Sequence, residues 1–146
     1  TYPTREEELQ IMDRMALSTP ATVGKVLGAD ELNRARSMMS EIYMDQKVKQ
    51  YIVDIVFATR DPEAAGVKDV AGYVKYGASP RATIALSEAA RAHAFLRHRG
   101  YVIPEDVKSV GLDVLRHRVI LSYEAEAENL SAADILNRIF DSVQVP

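Results

Sequence analysis

The chain has 146 residues, of which 47% are hydrophobic and 27% are charged, and its formal net charge is −3. This length and composition are typical of one globular domain that is large enough to bury a core. The acidic balance argues against general nucleic-acid binding, which usually needs a basic face. Cysteine is absent from the sequence, which excludes disulfides and thiolate chemistry and favours a reducing compartment, the cytoplasm.

The first part of the sequence predicts two helices. Thr4 and Glu7 form a capping box, so the first helix begins here and runs to about residue 16. A proline and a glycine mark a connecting loop over residues 18–26. The second helix is expected over about residues 30–40.

The middle of the sequence predicts a third helix and a long loop. Asp45 caps the helix, which ends near Arg60 and has apolar residues at i, i+3, i+4 and i+7, namely Val48, Tyr51, Ile52 and Ile55. The loop Asp61–Ala78 contains glycine and proline and is expected to be a surface excursion with a short helical turn over residues 68–74. Loops of this length in compact domains are often functional.

The second half predicts three more helices. The fourth, over about residues 81–97, is expected to bury one face, made of Ala82, Ala85, Leu86, Ala89 and Leu96. Pro104 opens the fifth, whose buried face is expected to contain Val107, Val110, Gly111 and Val114. Its start is weakened because Ile103, at the cap position, has no side-chain acceptor.

The last helix begins at Ser131, and its apolar residues are Ile135, Leu136, Ile139, Phe140 and Val143. Three short runs are expected to be extended, at residues 42–44, 101–103 and 119–121. The third run is expected to pair with one of the other two in a minor sheet.

The segment Gly77–Arg81 places an arginine at the start of the fourth helix. Ser79 suits the N-cap, and Pro80 suits the first helical position, where its missing N–H costs nothing. A cation in the first turn is disfavoured by the helix dipole, so Arg81 points to an anion bound beside the free backbone N–H groups, most commonly a phosphate. The alternative is an ion pair between Arg81 and a surface carboxylate.

This segment resembles the sensor 2 segment of the MoxR family of AAA+ ATPases. Other segments are similar to the same family in the same order and cover nearly the whole chain: residues 2–8, 51–53, 58–60, 101–107, 114–118 and 124–128. The most specific are Gly-Ala-Ser-Pro-Arg and the Leu-Arg-His-Arg of residues 115–118. The family's ATPase core is not in this sequence, which has no G-x-x-x-x-G-K-[ST] phosphate loop.

The resemblance implies an all-α lid bundle of about five to six helices with at most a very small β element. Residues 1–16 would be the end of the AAA+ core, the hinge and the first helix, and residues 17–146 would be the lid. The intact protein would hydrolyse ATP in a ring, a hexamer, with ATP and Mg²⁺ held mainly by the core. Its role would be chaperone-like, in complex maturation or magnesium-chelatase-like metal-cofactor insertion, on an unidentified protein client.

The resemblance also implies roles for particular residues near the nucleotide. Arg81 would contact the γ-phosphate and so distinguish ATP from ADP, with Ser79 and Pro80 positioning it. Tyr2 and Pro3 would lie where the chain leaves the core and form part of the adenine wall. The alternative for these two residues is a plain hinge turn.

Arg116 and Arg118 have two interpretations. They lie at the end of the fifth helix, where cations satisfy carbonyl groups and the dipole, and this is the preferred one. The alternative is a contact with a neighbouring subunit. The three histidines are scattered without paired ligand spacing, so no metal site is expected.

A different class of function is a stand-alone helical protein–protein interaction module with no nucleotide role. It would use the Asp61–Ala78 loop or the last helix to bind its partner. A DNA-binding helix-turn-helix is disfavoured by the charge and by the long, apolar connection between the fourth and fifth helices. No apolar run approaches the roughly 20 residues of a membrane span.

Overall fold

The structure is a computed structural model that describes residues 2–16 and 24–146. Its helices are α1 (Arg5–Ala16), α2 (Ala29–Glu41), α3 (Gln46–Ala58), α4 (Pro80–Leu96), α5 (Pro104–Leu115), α6 (Tyr123–Ala127) and α7 (Ala132–Ser142). A 3₁₀ turn covers Lys68–Val70, and strands β1 (Val74–Tyr76) and β2 (Ile120–Leu121) pair antiparallel. The predicted helical bundle with a very small β element is therefore confirmed.

Two compact units make up the chain, Thr1–Asn33 and Arg34–Pro146. In the first, the predicted capping box is present, since Thr4 N donates to Glu7 Oε2 at 2.7 Å and Glu7 N donates to Thr4 Oγ1 at 3.3 Å. The domain boundary predicted after residue 16 and most of the loop predicted over residues 18–26 lie outside the described residues. None of the helices in the described ranges is long and apolar enough to cross a membrane.

The core of the second unit forms where α4 packs against α3 and α5. The predicted stripe of α3 is confirmed, because all four of its residues are buried. In α4 the buried residues are spaced by four, at Ala82, Leu86, Ala90 and Ala94. The prediction for Leu96 is wrong: it is 73% exposed, because two residues beyond Ala94 it points to the opposite side of the helix.

Helix α5 packs closely against α7 at a glycine. Its fully buried apolar positions are also spaced by four, at Val107, Gly111 and Leu115. A methyl group on Gly111 would lie 2.1 Å from Phe140 Cζ, so this position needs a residue without a side chain. The predicted apolar face of α7 is confirmed by the burial of Ile135, Leu136, Ile139 and Phe140.

The predicted partner of the third extended run is wrong. Strand β2 pairs with β1, which lies within the predicted Asp61–Ala78 loop, in the register Val74↔Leu121. The other two runs pair with each other instead, through a parallel bridge between Tyr43 and Tyr101. The two runs that were expected to offer a partner to residues 119–121 are therefore partners of each other.

The Asp61–Ala78 segment is tied to the body of the domain. Val67 and Val70 are buried against Ala58, Ile135 and Ile139 in a second apolar cluster. The predicted helical turn is present but shorter than expected, since the 3₁₀ turn ends at Val70 and β1 begins at Val74. The segment is thus a surface excursion, since most of its residues are exposed, but its buried residues anchor it to the domain.

The start of α5 is stabilised by a buried aspartate. Asp106 has no exposed surface, and its carboxylate accepts hydrogen bonds from Ile103 N at 2.9 Å and from Arg99 at 2.8 Å. His93 Nδ1, on α4, lies 2.7 Å from the same carboxylate. Ile103 makes no side-chain cap bond, as expected, but the carboxylate of the third helical residue accepts from the Ile103 N–H and supplies the other half of a capping box.

These contacts change the pKa of Asp106. Burial alone raises the pKa of this carboxyl, but the hydrogen bonds from Arg99, the Ile103 N–H and His93 outweigh it and lower the pKa from 3.8 to about 2. The charged form therefore stabilises the fold. We name these contacts, which join α4 to α5, the Asp106 anchor (His93, Arg99, Ile103, Asp106).

We expect the Asp106 anchor to make stability fall in acid. Because the folded-state pKa is depressed, the stabilisation is complete above about pH 4 and is lost as pH falls through about 2. The difference between the two pKa values corresponds to about 2–3 kcal/mol. Urea unfolding of wild type and Asp106→Asn from pH 7 to pH 2 should show a stability gap that closes across this window. A gap that stays constant from pH 4 to pH 2 would contradict the ionised anchor.

Candidate site at the start of helix α4

Arg81 lies in the first turn of α4 and is exposed to solvent. The turn contains Pro80 at its start and no acidic residue. Within the described ranges, no carboxylate oxygen lies within 4.0 Å of the Arg81 guanidinium. The alternative of a surface ion pair is therefore absent from the part of the chain that the structure describes.

Ser79 occupies the N-cap of α4 as predicted, but it does not cap through its side chain. Its backbone is extended, and its hydroxyl makes no hydrogen bond to the first turn. The only bond it supplies to that turn is through its carbonyl oxygen, which accepts from Ala82 N at 2.8 Å. The hydroxyl and a first-turn N–H thus stay available to an anion.

The backbone just before α4 is bonded to the end of α3. Ala78 N donates to Thr59 Oγ1 at 2.9 Å, and the Thr59 hydroxyl donates in turn to Val56 O at 2.6 Å. The carbonyl oxygen of Ala78 is also bonded, since it accepts from Arg60 Nε at 2.7 Å. We name this set the α3–α4 clamp (Thr59, Arg60, Gly77, Ala78).

Gly77 is required in the clamp because the two segments approach closely. A methyl group here would lie 2.3 Å from Thr59 O and 2.6 Å from Arg60 Cα, both of them backbone atoms that cannot move aside. Its backbone is not in the left-handed region. Gly77 is therefore needed because the position has no space for a side chain, and not because of an unusual φ.

The clamp residues that follow α3, Thr59 and Arg60, are the part of the site that sequence reasoning missed. Thr59 has no exposed surface, and Arg60 lies over the Phe57 ring with its guanidinium carbon 4.8 Å from the centroid. In the sequence, residues 58–60 stood out only as one of the segments that resemble the family, and that resemblance assigned no role to Thr59 or Arg60. A contact between residues separated by 18 or 19 positions leaves no periodic trace in one sequence.

The other predicted site residues lie elsewhere. Arg118 Nε donates to Val114 O at 2.9 Å, and Arg116 pairs with Asp113 at 2.7 Å, as expected of cations at a helix end. Tyr2 and Pro3 belong to the first unit and precede the capping box of α1, and Tyr2 is 97% exposed. Their roles at a subunit interface or an adenine wall stay predictions.

Comparison with known proteins assigns the domain. A family model described as the AAA lid domain matches residues 68–139. Chaperone MoxR1 of Mycobacterium tuberculosis is 41% identical over 145 residues, which are 99% of this chain and 38% of that protein. Protein MoxR of Paracoccus denitrificans is 35% identical over 77% of this chain and 34% of its own length.

A solved structure agrees over the full length. The crystal structure of a candidate ATPase from Cytophaga hutchinsonii superposes with a TM-score of 0.93 at 39% identity, covering 100% of this chain and 44% of that one. The chain is an AAA+ lid of the MoxR family. This MoxR-family lid spans about two fifths of the length of the curated relatives above. Arg81 and Ser79 lie within the matched lid region.

The N-caps of this MoxR-family lid allow a matched stability test. Ser131 caps α7 with a full capping box, in which its hydroxyl accepts from Asp134 N at 3.2 Å. Ser131→Ala should therefore cost about 0.5–2 kcal/mol. Ser79→Ala should cost close to nothing, because no cap bond is lost. Urea unfolding compares the two, and equal losses would show that the Ser79 hydroxyl does cap α4.

Proposed function

We propose that this chain is the nucleotide-sensing lid of a MoxR-type AAA+ ATPase and that Arg81 contacts the γ-phosphate of ATP. The observation that carries the proposal is an exposed arginine without a carboxylate partner among the described residues, at a helix start held by the α3–α4 clamp. A guanidinium is always charged and can bond two phosphate oxygens at once. It would therefore respond to the loss of the terminal phosphate.

The remaining groups that ATP hydrolysis needs are assigned to an AAA+ core in the same protein. Within the described ranges, no group of three His, Asp or Glu side chains is placed to hold a metal ion. Magnesium, which neutralises charge between the β- and γ-phosphates when bound, is therefore assigned to the core. Here the lid supplies the arginine, the free N–H groups of α4 and their orientation.

The assembly and the role in the cell follow the relatives. The assembly would be a ring, a hexamer, with Arg116 and Arg118 at a contact between subunits. Tyr2 and Pro3 would lie near the adenine. Tyr2, Pro3 and Arg116 are exposed, as such contacts require, whereas Arg118 is half-buried. One relative is called a chaperone, which supports a chaperone-like role in complex maturation or metal-cofactor insertion. The cytoplasm, inferred from the lack of cysteine, stays a prediction. The alternative of an interaction module that docks through Asp61–Ala78 is disfavoured, because Val67 and Val70 in that segment are buried.

Replacing Arg81 in the intact protein tests the proposal. Arg81→Ala should lower ATP turnover by roughly 30- to 1000-fold, the effect of losing one preorganised charged donor worth about 2–4 kcal/mol. ATP affinity should fall more than ADP affinity, because ADP lacks the phosphate concerned. Arg81→Lys should restore part of the activity, since an ammonium cannot bond two oxygens in parallel.

The matched control for this experiment is Arg97→Ala. Arg97 is also an exposed arginine, but it lies at the opposite end of α4. The Arg97→Ala variant should keep ATP turnover and the preference for ATP over ADP near the wild-type values. Wild-type turnover in Arg81→Ala, or equal losses in both variants, would contradict the assignment of Arg81 to the γ-phosphate.

The chain alone should not turn over ATP. It has no phosphate loop, and most phosphate ligands are assigned to the core, so binding should be no tighter than the millimolar range. A phosphate-release assay, with the intact protein as positive control, checks this. Turnover by the purified 146-residue chain, free of contaminating ATPase, would overturn the interpretation as a lid.

A further inference from the structure

We propose that Thr59, Arg60 and Gly77 are positioning residues for Arg81, so that the nucleotide is read through the α3–α4 clamp; this rests on the proposed function of Arg81. The three residues belong to the end of α3 and the segment before α4. Each contacts the backbone of the other segment or leaves the space for it.

The clamp fixes the backbone immediately before Arg81. The N–H and the carbonyl oxygen of Ala78 are bonded to two different side chains just beyond the end of α3, so this residue can neither rotate nor shift without losing a bond. Ala78 and Ala82 have no exposed surface. Arg81 is thus exposed between two buried residues, Ala78 and Ala82, and the backbone of Ala78 is also held by hydrogen bonds.

The charges at this end of α4 also indicate a ligand. Arg60 bonds Ala78 O, so a second guanidinium lies at the same helix start as Arg81. No carboxylate oxygen lies within 4.0 Å of either guanidinium among the described residues. A cation in the first turn of α4 is unfavourable in the absence of an anion, and Arg60, just beyond the C-terminus of α3, adds positive charge beside it that a polyphosphate would compensate.

The order of the contacts explains why these residues act through Arg81. The Thr59 hydroxyl is buried, and its single proton is already donated to Val56 O while the oxygen accepts from Ala78 N. It cannot itself reach a ligand. Its effect on nucleotide binding must pass along the backbone to Arg81, where a misplacement on the order of 1 Å can cost roughly 10²-fold in rate.

The test measures the affinities of the intact protein for ADP and for a non-hydrolysable ATP analogue. Thr59→Val removes the hydroxyl at constant shape, and Arg60→Met removes the guanidinium, with its bond to Ala78 O and its contact with the Phe57 ring, while keeping an unbranched side chain. Both should lower the preference for the ATP analogue by roughly tenfold or more. Thr59→Ser keeps the hydroxyl and should restore the preference.

Two glycine variants separate positioning from lost stability. Gly77→Ala and Gly111→Ala each place a methyl group against a packed neighbour, but Gly111 faces Phe140 on α7 and not the clamp. Gly77→Ala should lower the preference for the ATP analogue, whereas Gly111→Ala should lower the melting temperature and leave the preference unchanged. If the preference for the ATP analogue changed equally in Gly77→Ala and Gly111→Ala, the clamp would contribute only to stability, and the inference would be overturned.

A double-mutant cycle with Arg81→Ala distinguishes the two proposals. If the clamp acts through Arg81, Thr59→Val and Arg60→Met should have no further effect on the preference in the Arg81→Ala background. Effects of the same size in both backgrounds, or no effect of either variant in the wild-type background, would overturn this inference alone. Because Arg60 is exposed, its variant decides the outcome should Thr59→Val not fold. An unchanged preference in Arg81→Ala itself would overturn the proposed function.

Discussion

Two hydrogen bonds to the backbone of Ala78 hold the segment from which α4 begins, and the core of the second unit is built around that helix. Thr59 and Arg60 hold its start against α3. Near its other end, His93 and the Asp106 anchor join it to α5. Between these points, alanine and leucine spaced by four let α3 and α5 approach closely. The position of the α4 backbone is therefore set by polar contacts at both ends and by packing along the helix.

Helix positions could be predicted well because their signals are local. Asp45, Ser131 and the Thr4–Glu7 pair act as caps in the structure, and the apolar period of α3 and α7 gives the faces that are buried. Leu96 was assigned to the wrong face, since five small and apolar residues in α4 fit more than one stripe. Its packing partners select the four-residue spacing.

The polar and extended contacts could not be predicted because they join distant parts of the chain. In the sequence, β2 has two extended candidates for its partner, at residues 42–44 and 101–103, and only the tertiary fold shows that Tyr43 and Tyr101 pair with each other. The role of Asp106 depends on Arg99 and His93 arriving from α4 and the following turn. At the candidate site, Arg81 could be singled out from capping and dipole rules, whereas the clamp could not be found without the fold.

The most direct measurement is a crystal structure of the intact protein with a non-hydrolysable ATP analogue. The account predicts that the Arg81 guanidinium bonds an oxygen of the terminal phosphate at roughly 2.7–2.9 Å. It also predicts that the bond from Ala78 N to Thr59 Oγ1 persists in that state. An Arg81 side chain that points to solvent, or pairs with a carboxylate of the core while the nucleotide is bound, would contradict it.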